Sequence, residues 1–66
     1  MKAIEIMDIA KLNKKISNIK FLKNEKENAE YIAMINKGYM KYAGLDLKNM
    51  EVKEWSIDGN IIVLWV

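Results

Sequence analysis

At 66 residues the chain has room for one domain, and a domain of that size buries only about 60% of the surface its unfolded chain exposes. With no Cys and no His, it has neither disulfides nor zinc or haem ligands to staple so small a core, which leaves oligomerisation as the way to add buried area. The net charge of +2 is unevenly spread: +4 over residues 1–24, zero over 25–49 and −2 over 50–66, so a basic front faces an acidic end that could guide head-to-tail packing or a partner.

Arg, Pro, Gln and Thr are also missing, while Ile, Lys and Asn supply 28 of the 66 residues. These three have AT-rich codons, which points to an AT-rich genome such as that of a low-GC bacterium, its phage or a mobile element. Mutational bias then explains the lysines without a partner. Glu5 and Asp8 interrupt the apolar N-terminal stretch and spoil a secretory signal. The uncharged C-terminal run of eight residues falls far short of the about 20 a membrane span needs. The expectation is a soluble, cytoplasmic protein without a membrane partner.

In residues 2–7, Ile4 and Ile6 alternate with Glu5, which predicts a short strand, with Asp8 as the N-cap of a following helix. Ile9, Leu12, Ile16, Ile19 and Leu22 then make one apolar stripe at helical spacing. Asn24 and Glu27 suggest a capping box that opens a second helix over 25–43, with Ala29, Ile32, Ile35, Tyr39 and Tyr42 as its stripe. Gly38 either permits close helix packing or stops a shorter helix after Lys37. Gly44 fits the left-handed residue that ends the helix.

Asp58-Gly59-Asn60 is a strong hairpin signal between two apolar runs. A turn at Gly59-Asn60 pairs Ile57 with Ile62 and Trp55 with Leu64; a turn at Asp58-Gly59 shifts the register by one residue. Ile61 to Val66 is apolar on both faces, so it needs cover on two sides and a partner along its free edge. The expected fold is α+β: a short N-terminal strand, two antiparallel helices and a C-terminal β-hairpin. The last strand is central in a three-stranded antiparallel or mixed sheet, between its hairpin partner and residues 2–7. The helices cover the face that carries Trp55 and Leu64. Ile61, Val63 and Trp65 are left for a second subunit or a partner protein.

Catalysis is hard to build from this alphabet. Acid–base work lacks His, and nucleophilic work lacks Cys and Thr. Ser17 and Ser56 sit in no nucleophile-elbow pattern and are expected to face solvent. The carboxylate pairs Glu5/Asp8, Glu27/Glu30 and Glu51/Glu54 are explained by helix starts or lie on opposite faces of a strand. No phosphate-binding glycine loop is present, and no metal or cofactor is implied.

Lys11, Lys14 and Lys15 could touch nucleic-acid phosphates, and Lys37-Gly-Tyr-Met-Lys-Tyr42 interleaves cations with aromatic rings. Against this stand the absence of Arg and the place of Tyr39 and Tyr42 on the core stripe. A ribbon-helix-helix or winged-helix layout would suit such a function. The first expectation is nonetheless a non-enzymatic protein-interaction module, a homodimer, of the kind a phage or mobile element uses to bind and inhibit a host enzyme or defence complex. A small nucleic-acid-binding regulator is the alternative.

Overall fold

The chain begins with a helix rather than a strand. In the computed structural model, which describes residues 1–23 and 26–66, α1 spans Ala3–Leu12. Ala3, Ile6, Met7 and Ala10 fall at i, i+3, i+4 and i+7, and all four are buried. The Glu5 carboxylate accepts the Lys2 backbone N–H at 3.5 Å, so Glu5 serves the start of the helix and Asp8 lies in its middle. The alternation of Ile4 and Ile6 gives way to this face because the alanines, small enough to let the helix lie close to a sheet, count as core.

The predicted helical stripe breaks after Leu12, which is 88% exposed. Asn13 turns extended, and its side-chain oxygen accepts the Lys15 N–H at 3.0 Å, a local turn that competes with helix continuation. The chain then runs as β1, Asn18–Lys23, in which buried Ile19 and Phe21 alternate with partly buried Asn18, Lys20 and Leu22. The period is two, and Phe21, which belongs to no helical stripe, is fully buried.

The second predicted helix is replaced by β2, Glu30–Asn36, and a 3-10 helix, Lys37–Tyr42. The predicted cap at Asn24 lies outside the described residues, and Glu27 sits in a short 3-10 turn, Lys26–Asn28. β2 pairs antiparallel with β1, and a bulge between Phe21 and Leu22 leaves Ile32 as the extra residue. Its β-branched Ile32 and Ile35 suit a strand as well as a helix. Gly38 lies in the first turn of the 3-10 helix, where its N–H donates to the Asn36 side chain at 2.9 Å. Tyr39 and Tyr42 stay exposed, and Met40 is the residue buried from this segment. Gly44 has φ −64° and precedes α2, Leu45–Lys48, so it is not a left-handed helix terminator.

The C-terminal hairpin consists of β3, Glu54–Asp58, and β4, Ile61–Trp65. Asp58 pairs with Ile61, Ile57 with Ile62 and Trp55 with Leu64, the register of a two-residue turn at Gly59-Asn60. Gly59 has φ +62°, which glycine adopts without steric cost.

The sheet is mixed and four-stranded, in the order β2-β1-β4-β3. β4 is central, as its double apolarity requires, but its second neighbour is the parallel strand β1 rather than residues 2–7. One cluster joins Ala3, Ile6, Met7 and Ala10 of α1 and Met40 to Ile19, Phe21, Ile62 and Leu64 of the sheet. Leu47, Met50 and Val52 pack around it. The N–H of Ala3 on the Met50 carbonyl (2.9 Å) and that of Val52 on the Met1 carbonyl (2.8 Å) tie the helix start to the chain that enters β3. Every large side chain fully buried here contributes about 1.5–3 kcal/mol.

Candidate functional site

Pleating puts Ile62 and Leu64 on the helix side, so Ile61, Val63 and Trp65 share the opposite face. The registers extend that face into three cross-strand rows. Tyr31, Leu22, Trp65 and Glu54 form the first; Met34, Lys20, Val63 and Ser56 the second; Asn36, Asn18, Ile61 and Asp58 the third. The Asn36 side-chain amide donates to the Asn18 side-chain oxygen at 3.2 Å, as a pair on one face should. None of the residues in these rows belongs to the core cluster, and α1, the Lys37–Tyr42 helix and α2 all contribute to that cluster on the other side.

The open face is apolar at its centre and charged at its margins. Val63 is 8% exposed although no helix of the core layer covers it. Its shielding comes from within the sheet: Lys20 and Ser56 flank it across the strands, and Ile61 and Trp65 flank it along β4. Lys20 is partly buried, its aliphatic stem lying in an apolar row with its ammonium at the surface. Tyr31 and Met34 on β2 are 63% and 40% exposed. On β3 the same face is polar, with Glu54, Ser56 and Asp58.

Ile61, Val63 and Trp65 were expected together on one face and are found so. Leu22, Tyr31, Met34 and Lys20 extend that surface and were missed, because residues 18–36 read as helix. The signal that would have found them is the alternation in Asn18-Ile-Lys-Phe-Leu22. On the helix side, Leu64 and Ile62 are covered, but their β3 partners Trp55 and Ile57 are 40% and 53% exposed. One ten-residue helix and two short ones do not reach across to that edge strand, contrary to the expectation that the helices would cover Trp55.

The predicted phosphate contacts lie elsewhere. Lys11 is on α1, its ammonium 3.6 Å from the Asp8 carboxylate, and Lys14 and Lys15 are exposed in the turn that follows. Lys37 caps that end of α1 by donating to the Asn13 carbonyl at 2.7 Å. Residues 2–43 do not form the strand, helix, helix order of a ribbon-helix-helix protein. The two serines are partly buried rather than solvent-facing. Ser17 accepts the Asn60 side-chain N–H at 2.8 Å and so ties the start of β1 to the hairpin turn, while Ser56 belongs to the open face.

At the opposite end of the sheet a cleft of about 530 Å³ is lined by Lys23, Ile32, Met50, Glu51, Lys53 and Val66. The Glu51 carboxylate at its rim pairs with the Met1 ammonium at 3.3 Å. Among the described residues, no group of three or more His, Cys, Asp or Glu side chains stands close enough to hold a metal ion, and no helix is long and apolar enough to cross a membrane. Comparison with known protein families, curated proteins and solved structures finds no match for this chain.

Proposed function

We propose that the protein is a non-catalytic interaction module that self-associates through the open face of its sheet, with Ile61, Val63 and Trp65 at the centre of contact. The observation that carries this is a sheet with helices packed on one side only, whose other side presents Leu22, Tyr31, Met34, Ile61, Val63 and Trp65 in adjacent rows. A face of this kind is stabilised by cover, as in sheets that pack about 10 Å apart. The chain is short of buried area and has no disulfide to compensate, so association adds what the monomer lacks. Four strands of about five residues outline on the order of 300 Å². Even doubled for side-chain relief, this stays below the about 800 Å² per partner of a standard interface, so the association is weak and concentration-dependent.

Contact with nucleic acid through Lys11, Lys14 and Lys15 has less support. One of the three faces a carboxylate at 3.6 Å, and no aromatic row adjoins them.

Sedimentation equilibrium tests the proposal. Between about 1 and 500 µM, the mass should rise from 7.7 kDa towards twice that value. Ile61→Lys and Trp65→Lys should each hold it at the monomer value while circular dichroism confirms a folded chain. A folded wild-type protein that stays monomeric throughout would overturn the proposal.

A further inference from the structure

The open face carries one cation within its rows, Lys20 on β1, and its carboxylates, Glu54 and Asp58, sit together on β3, two strands away. β4 lies between β1 and β3. A surface with its positive group on one flank and its negative groups on the other is complementary to itself under a two-fold rotation. Building on the self-association above, we infer that the second copy docks about a two-fold axis that runs along β4.

That axis stacks β4 on the partner's β4 and lays β1 over the partner's β3. Lys20 and Ser56 occupy the same cross-strand row, so Lys20 of one copy meets Ser56 of the partner subunit. Along β3, Glu54 and Asp58 lie about 7 Å to either side of Ser56. The ammonium therefore enters a gap between two carboxylates, twice per dimer by symmetry. Facing sheets stand about 10 Å apart, a separation that a lysine and a carboxylate side chain span between them. The same operation brings Ile61, Val63 and Trp65 against their own copies at the axis, so the apolar centre and the charged flanks are matched together. An axis between β1 and β4 would set Lys20 over Val63 and leave its charge without an opposing carboxylate, which disfavours it. The interface is isologous and closes at two copies.

Charge reversal in trans tests the arrangement. Lys20→Glu sets a carboxylate between the partner's two carboxylates, and Ser56→Lys sets an ammonium against the partner's lysine. Each variant alone should raise the dimer dissociation constant about tenfold or more. An equimolar mixture of the two should form a heterodimer that is tighter than either homodimer. In it the carboxylate introduced at position 20 of one chain meets the ammonium introduced at position 56 of the other, while the second contact stays native. A folding defect in either chain would not be repaired by mixing, so the two effects separate. If the wild type dimerises but neither variant weakens it, or mixing restores nothing, the axis along β4 is wrong while self-association stands. If the wild type never dimerises, self-association itself fails.

Discussion

Truncating one buried and one exposed apolar residue tests the fold where it departs most from helical periodicity. Phe21 is fully buried between α1 and the sheet, and Leu12 is 88% exposed at the end of α1. In a helix over residues 9–22 the roles would reverse, with Leu12 on the buried stripe and Phe21 off it. Truncating a core phenylalanine removes its transfer free energy and leaves a cavity, at about 3–5 kcal/mol. A domain of this length has about 3–10 kcal/mol of stability in all. Phe21→Ala should therefore remove a third or more of the total and leave some preparations unfolded at room temperature. Leu12→Ala removes little buried surface and should change stability by less than about 0.5 kcal/mol. Urea titration followed by tryptophan fluorescence reads both. With a slope of about 1 kcal/mol per molar urea, Phe21→Ala shifts the midpoint down by about 3 M or abolishes the folded baseline. A loss above about 2 kcal/mol for Leu12→Ala, or below about 1 kcal/mol for Phe21→Ala, would refute β1 and restore the helix.

Three further outcomes follow from particular residues. Gly59→Ala forces a side chain into the left-handed region at φ +62° and should cost about 1–2 kcal/mol, whereas Gly44→Ala, at φ −64° with open space around the new Cβ, should be neutral or stabilising by up to about 1 kcal/mol in thermal melts. Lys37→Met loses the charged hydrogen bond to the Asn13 carbonyl and should cost about 1–2 kcal/mol; a neutral result in denaturant titration would show that water replaces it. Fluorescence anisotropy with a single-stranded oligonucleotide at low salt should show no binding tighter than about 10 µM. Tighter binding that weakens steeply with salt, and is lost on joint Gln substitution of Lys11, Lys14 and Lys15, would transfer the function to nucleic-acid contact.

The hairpin was legible because its signals are local. Asp58-Gly59-Asn60 determines where the chain turns, and the double apolarity of Ile61–Val66 requires a central strand. The first forty residues were not legible in the same way, since their apolar spacing satisfies two periods at once. Ile16, Ile19 and Leu22 suit a helix by threes, while Ile19 and Phe21 suit a strand by twos. The strand wins because β4 needs a second neighbour, a non-local demand that no window of sequence records. Asn13 shows the decision locally, its side chain closing a turn where the helix would otherwise continue. At the open face, the β4 residues were identifiable from β4 alone. Leu22, Tyr31, Met34 and Lys20 became neighbours only once β1 and β2 took their registers.

Intermolecular NOEs in an equimolar mixture of isotope-labelled and unlabelled protein test the self-association surface most directly. At a concentration where the mass is that of the dimer, the methyl groups of Ile61 and Val63 in one copy should show cross-peaks to Val63 and the Trp65 indole of the other. Cross-peaks confined instead to Trp55, Ile57 and the exposed flank of α1 would place the contact on the helix side and contradict the open sheet face as the working surface.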